Sequence, residues 1–337
     1  MTVITATDAC NSEHHPPPLA IGHYRLSFRS VDPIRLPAYA GSAWRGVFGH
    51  ALKQTVCVTR ESDCTKCLLY RNCPYSYVFE TPPPLDTKRM KLYPAAPHPF
   101  VIYPPPLPVQ NQPAGSEVSI ELALFGLANA QLPYLIYAFQ TAGRRGVGSR
   151  RSRLELERIE QYGQTDNWQA IWGIGESLEQ KPAFIPEPPV YPDEVAIELQ
   201  TPLRIKRDEN LVGIKEFAFH DLFRSLLRRI SMLMYFHARM DLQIDFSGLT
   251  EVSRNVEMRS KTLHWQDWSR YSSRQKTSME MGGLMGMIEL TGRDLQPFWP
   301  LLWLGQWTHA GKGASMGLGR YRIHDAASLP ARTTSTN

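Results

Sequence analysis

The sequence predicts an α+β fold made of two similar halves. Three observations carry this. The chain has 337 residues and 42% hydrophobic content, enough for two ordinary cores. Each half closes on the same order of apolar helix, basic glycine-rich loop and alternating strand. A proline-rich run, Pro182 to Pro192, separates them.

The second of the two loops is the more distinctive. Gly311-Lys312-Gly313-Ala314-Ser315-Met316-Gly317-Leu318-Gly319-Arg320-Tyr321 holds four glycines and two cations in eleven residues, a composition that lets backbone lie close against an anion. A tight turn is the competing use of the glycines. Phosphate-cradling nucleotide motifs run strand, loop, helix, whereas here an apolar helix comes first and a strand follows, so nucleotide-cofactor classes are excluded. The first half carries a partial echo, Ala142 to Arg153, with five arginines whose expected counterion is phosphate.

Residues 1–19 form a polar leader containing the isolated thiol of Cys10, and His23 to Arg29 alternates as a strand. Gly41 to Val56 is predicted as a helix with Ala43, Trp44, Val47, Phe48, Ala51 and Leu52 on one arc. Arg45, Gly46, Gly49, His50 and Lys53 share the other. Phe100 to Tyr103 and Val118 to Phe125 read as strands, Leu127 to Thr141 as a helix, and Leu154 to Ile159 as the closing strand. That order is ferredoxin-like, and the first half spans 20–162. Residues 163–193 read as a linker with one helical patch around Trp168 to Leu178. The second half, 194–327, holds a strand from Val195, a helix from His220 to Arg239, a strand from Gly282 to Leu290 and a helix from Asp294 to Trp307. A polar tail, 328–337, follows.

Cys57, Cys64, Cys67 and Cys73 fall within seventeen residues, in an insertion at 57–80. In a reducing compartment such a group implies metal rather than disulfides. The Cys64-x-x-Cys67 pair has knuckle spacing, and four thiolates close a structural zinc site with no open position. The irregular outer spacings leave an iron-sulfur cluster or unligated thiols as alternatives. Net charge is only +5, so partner class is read from clustering, with arginines gathered at 144–153, 224–229 and 254–274. Neither a secretory leader nor a membrane-length apolar run is present, and a cytoplasmic protein is expected.

Three stretches together, His309 to Tyr321, Arg270 to Gln275 followed by Gly282-Gly283-Leu284-Met285-Gly286, and the Gly41 to His50 helix joined to a four-cysteine insertion, resemble the CRISPR precursor-RNA processing endoribonucleases, the Cas-six family of the RAMP superfamily. The resemblance spans about residues 20–325. It implies tandem ferredoxin-like (RRM-like) domains that bind CRISPR repeat RNA. It also implies cleavage without a catalytic metal, by attack of a ribose 2′-hydroxyl that leaves a 2′,3′-cyclic phosphate. Such chemistry needs a base, a cation beside the non-bridging oxygens and an acid.

The resemblance assigns the base to His50, with an imidazole suited to neutral pH. Lys53 becomes the charge-stabilising cation and Tyr39 the acid or orienting hydroxyl, with His309 and His220 as rival histidines. RNA contacts are expected from Arg144, Arg145, Arg150, Arg151, Arg270, Arg274, Gly311, Lys312, Gly313, Gly317, Gly319 and Arg320. Trp265, Trp268 and Tyr271 are candidates for base stacking. Subunits of a CRISPR effector complex are the other implied partners. A guide-RNA-holding RAMP subunit without catalysis is the alternative function.

Overall fold

Alternation in the first strand sets the architecture. In β1 (Ile21–Ser30), Tyr24, Leu26 and Phe28 are buried in one core, while His23, Arg25 and Arg29 point to the opposite face, as a period of two requires. The computed structural model describes residues 18–37, 39–83, 96–104, 110–163, 167–272 and 277–328. Cys10, Arg274 and the tail beyond Ser328 lie outside the described residues, and at Arg270 and Tyr271 only the backbone is described.

After β1 come α1 (Gly41–Val56), β2 (Phe100–Tyr103), β3 (Glu117–Phe125), α2 (Leu132–Arg145) and β4 (Leu154–Tyr162). A further strand, β5 (Trp168–Gly173), completes an antiparallel sheet of order β2-β3-β1-β4-β5. The second half holds β6 (Glu194–Leu203), α3 (Phe219–Leu233), β7 (Met258–Gln266), β8 (Gly283–Thr291), α4 (Trp299–Thr308) and β9 (Tyr321–Asp325). Its antiparallel sheet has the order β7-β8-β6-β9. In both sheets the first strand sits between the third and fourth, with the second outside the third.

The structure corrects several boundaries. The helical patch expected around Trp168 is strand β5, paired with β4 from Tyr162↔Trp168 to Arg158↔Gly173. Residues 163–193 are therefore more than a linker. Phe184 bridges back to Ile21, and Gln161 Oε1 accepts from Lys181 N at 2.9 Å. Strand β7, absent from the sequence reading, packs only Met258, Leu263 and Trp265 against the core and its half-buried residues change parity at Lys261-Thr262, so period and hydrophobicity gave little signal. The helix expected to reach Arg239 leaves α-geometry after Leu233, passing into a wide turn, Met234–Ala238, that stops at left-handed Arg239. Pro297 restricts the start of the last helix to a 3₁₀ turn, and α4 begins at Trp299.

The two halves share one core. Ile21, Val101, Tyr103, Ala123 and Phe125, from the outer face of the first sheet, pack in the same cluster as Leu222, Phe223, Leu226, Phe298 and Leu302 of the second half. Burying that face fixes the halves against each other. Among the described residues no helix is long and apolar enough to cross a membrane.

Candidate nucleic-acid interface

Both glycine loops converge on the segment that enters α1. A Cβ on Gly41 would lie 2.0 Å from the carbonyl oxygen of Met316, so only glycine admits the second loop at the helix start. Tyr39 Oη donates to that same carbonyl at 2.8 Å, and Arg45 Nε donates to Ser315 Oγ at 3.2 Å. From the first loop, Gly148 approaches the same segment so closely that a Cβ on it would lie 2.7 Å from the carbonyl oxygen of Arg35. Residues 35–36 thus meet one loop and residues 39–45 the other.

The glycines of the second loop are used mainly against protein. Gly311, Gly313, Gly317 and Gly319 all have positive φ. Gly311 lies against Arg204 backbone, Gly317 against the carbonyl of Ile102, and Gly319 against that of Ala310. Most backbone donors here are satisfied internally: Gly311 N by Ser225 Oγ, Lys312 N by Arg204 O, Gly317 N by Ala314 O and Gly319 N by Pro202 O. The expectation of a loop laid open to an anion gives way to a loop folded tightly on itself. Its exposed charge is Lys312, and Arg320 lies with its guanidinium 5.0 Å above the Tyr103 ring.

In the first loop Arg144, Arg145, Arg150 and Arg151 are exposed. Arg153 is held by Asp32, Nε to Oδ2 at 2.9 Å, a contact that also holds the Asp32 carboxyl down at about 2. Four exposed guanidiniums beside a helix start form a cationic surface.

The expected catalytic residues are not gathered at this seam. His50 is exposed on α1, nine residues beyond Gly41 and so about 13 Å along the axis. Lys53, on the same face, turns to the cysteine insertion: Nζ donates to Ser62 O at 3.3 Å and lies 5.6 Å from the Tyr75 ring centroid. Tyr39 is at the seam, but desolvation pushes its phenol well above the ordinary range despite Arg320, and its hydroxyl orients the loop. His309 is fully buried, donates through Nδ1 to Leu318 O at 3.2 Å and meets Tyr103 edge-on at 4.8 Å. Sealed in this way, it clamps the loop. His220 stands 3.4 Å from Asp221, a carboxylate engaged with Arg207 at 2.5 Å, at the start of α3. Of the stacking candidates, Trp268 packs on Tyr39 at 4.7 Å and Trp265 donates to Asp267 at 2.7 Å.

Two groups at or near the seam escaped the sequence reading. Arg45 Nη2 lies 2.9 Å from His98 Nε2. Arginine can only donate, so Nε2 accepts, and Nδ1–H faces Thr81 Oγ1 at 3.3 Å while that hydroxyl donates to Ala96 O at 2.8 Å. Desolvation, with Arg45 second, pushes His98 down to about 3, which keeps it neutral. On the other face of β1, His23 Nε2 lies 2.9 Å from Glu121 Oε2, leaving Nδ1 buried without a partner. Burial would raise Glu121, but the hydrogen bond from His23, with Arg25, holds it at about 2. His23 also lies 5.2 Å from the Tyr103 ring, the ring that Arg320 covers. Only the pairing of β1 with β3, Arg25↔Glu121, brings this imidazole and carboxylate together, which no local motif reveals.

A chain of two fused α+β halves, with cationic loops from each meeting at one helix start, is the class that fold and site define. Residues 19–183 match a family model described as an N-terminal domain, AF_1859_N, and residues 197–321 match the model of the CRISPR-associated endoribonuclease Cas6. The second half therefore carries a domain of the CRISPR-associated endoribonuclease Cas6 family. The chain is similar to an uncharacterized protein of Archaeoglobus fulgidus, 23% identical over 308 residues, covering 89% of this chain and 96% of that one. Its fold is similar to a product complex of Cas6 (TTHB231), at TM-score 0.55 and 14% identity over 90% of this chain and 99% of that chain. The Thermus thermophilus Cas6 (TTHB231) matches at TM-score 0.51 and 14% identity, covering 91% and 99%.

Proposed function

We propose that the chain is an endoribonuclease that binds CRISPR repeat RNA and cuts the precursor to guide-length pieces without a catalytic metal. The convergence of both glycine loops on the start of α1 supports this reading, because those loops are the ones that carry Arg144, Arg145, Arg150, Arg151 and Lys312, in a chain with a Cas6 domain. The connectivity of both halves supports the tandem ferredoxin-like reading. Phosphate contacts from the arginines would hold the strand, and a ribose 2′-hydroxyl would attack the adjacent phosphorus. That bond forms as the one to the 5′-oxygen breaks, leaving a 2′,3′-cyclic phosphate and a 5′-hydroxyl. A base takes the 2′-proton and an acid returns one to the leaving oxygen.

His50, with Lys53 and Tyr39, remains the assignment that the family resemblance supports. His23 is a second candidate base, since Glu121 orients its ring; its Nδ1 is buried, so it could act only if bound RNA opens a path to it. The exposed position of His50 and the turn of Lys53 toward the cysteine insertion favour a second reading, that of an RNA-holding subunit without catalysis. A partial Cas6-RT-Cas1–Cas2 complex, of whose matching chain this one covers 46%, is among the similar folds, which supports partners from the same system.

The two readings separate on one assay. Purified protein is mixed with end-labelled repeat RNA in excess EDTA, then the same is done with His50→Ala and His23→Ala. A single specific cut in EDTA, lost in one variant whose RNA binding persists, supports the enzyme. Tight binding with no cut supports the subunit.

A further inference from the structure

Helix α2 turns Leu135, Ile136, Ala138, Phe139, Ala142 and Gly143 into the core. Its opposite face carries Tyr134, Tyr137, Thr141 and Arg144 at steps of three or four residues, with Arg145 beside them, so they form one stripe. Tyr134 is 48% and Tyr137 56% exposed. The buried tyrosines Tyr24, Tyr103 and Tyr321 each donate the hydroxyl to a protein acceptor. Among the described residues neither Tyr134 nor Tyr137 has a hydrogen bond or a ring neighbour. Two large rings left half in water on one helix face are the mark of a contact surface.

The charge around the rings narrows the ligand. Neither α1, with 16 residues, nor α2, with 14, contains an Asp or Glu, and none occurs from Gly126 to Arg153. In a chain whose net charge is only +5, this helical layer is purely cationic. A polyanion with flat apolar faces matches both parts of the stripe, phosphates for the arginines and bases for the rings.

Helix α1 lies alongside in the antiparallel sense. Trp44 meets the Phe28 ring at 5.1 Å, and a Cβ on Gly143 would lie 3.4 Å from that ring; further along, Phe48 stacks on Phe139 at 4.3 Å. Exposed His50, two residues after Phe48, therefore comes level with Tyr137, two residues before Phe139. Past His50 the helix is capped by Cys57. Cys57, Cys64, Cys67 and Cys73 line one pocket there. Among the described residues, however, no three His, Cys, Asp or Glu side chains group to hold a metal ion, so the zinc site expected from their spacing is not assembled.

On the reading of the chain as an RNA-binding protein, we propose that the outer face of α2 is a track for single-stranded RNA, with bases stacked on Tyr134 and Tyr137 and phosphates held by Arg144 and Arg145. A strand gripped at the seam and laid along this face passes the level of His50, which the seam itself does not reach. The rings carry no charge, so they add affinity without adding to its salt dependence.

The test is filter binding of end-labelled repeat RNA to the full chain and to Tyr134→Ala/Tyr137→Ala across a salt series. Stacking on two rings predicts an affinity loss of about tenfold or more, with the slope of log K against log salt unchanged, and Tyr134→Phe/Tyr137→Phe should keep most of the affinity. Both side chains are exposed, so the fold should persist, and thermal melts check it. Undiminished affinity in the folded double alanine variant overturns the track while leaving RNA binding by the loops in place; the stripe would then serve a protein partner. A fall in salt slope together with affinity also overturns it, since the substitutions would then act through the arginines. A wild-type chain that binds no repeat RNA overturns the track and the RNA-binding reading together.

Discussion

Arg45 donates through Nη2 to Nε2 of His98 at 2.9 Å while its Nε reaches Ser315 Oγ on the second glycine loop. One guanidinium on the first turns of α1 therefore joins the two halves, and it requires a neutral imidazole beside it. A second neutral imidazole does similar work nearby. His237, in the second half, accepts from Tyr77 Oη at 3.1 Å and donates to Pro97 O at 2.8 Å.

These two histidines predict a pH dependence of stability. Burial pushes His98 down to about 3 and His237 down to about 4, against an ordinary value of about 6.5. Between the ordinary and folded values the unfolded chain binds more protons, so stability is full above about pH 6.5 and falls as pH drops toward 4. The slope is at most about 1.4 kcal/mol per pH unit for each histidine. Urea midpoints measured from pH 7.5 to 4.5 should decline, and His98→Gln/His237→Gln should flatten the decline. A level wild-type curve contradicts the two-histidine account.

The glycines of α1 should respond in opposite directions. Gly41→Ala forces a methyl against the Met316 carbonyl and should destabilise by about 1–3 kcal/mol. Gly46 has nothing within 4 Å of the place a Cβ would take, so Gly46→Ala should stabilise the helix by up to about 1 kcal/mol. Thermal melts of both variants check this, and equal shifts of the same sign would refute the docking of the second loop on Gly41.

Much of this frame is legible in the sequence. Gly41–Val56 appears at its predicted bounds because the apolar arc is strong and unbroken over four turns. The doubled helix, glycine loop, strand order is also real. What escaped was decided by tertiary packing. Gly49, placed on the polar arc, is buried against Phe79. The glycines of residues 311–319 read as an anion cradle because composition cannot tell an approaching phosphate from an approaching carbonyl. His23 read as an ordinary strand residue because Glu121, its partner, lies 98 positions away.

The exposed arginines of the first loop should govern the salt dependence of RNA binding. Replacing Arg144, Arg145, Arg150 and Arg151 by alanine should weaken binding and reduce the slope of log K against log salt by roughly one for each phosphate left without its cation. Filter binding across a salt series measures it. An unchanged slope would remove this loop from the interface.

The two candidate bases should differ sharply. Removing a general base lowers the cleavage rate by about 10²–10⁴, whereas a bystander histidine leaves it nearly unchanged. Single-turnover rates of His50→Ala and His23→Ala, with RNA affinity measured in parallel, identify the base, and two near-wild-type rates exclude both.

The account stands most directly on the role of the substrate's own sugar. The measurement is single-turnover cleavage in EDTA of two repeat RNAs that differ by one atom, the 2′-oxygen of the nucleotide preceding the cut. The deoxy substrate should bind as tightly as the all-ribose RNA and remain intact. Cleavage of the deoxy substrate at the same position would contradict a 2′-hydroxyl mechanism.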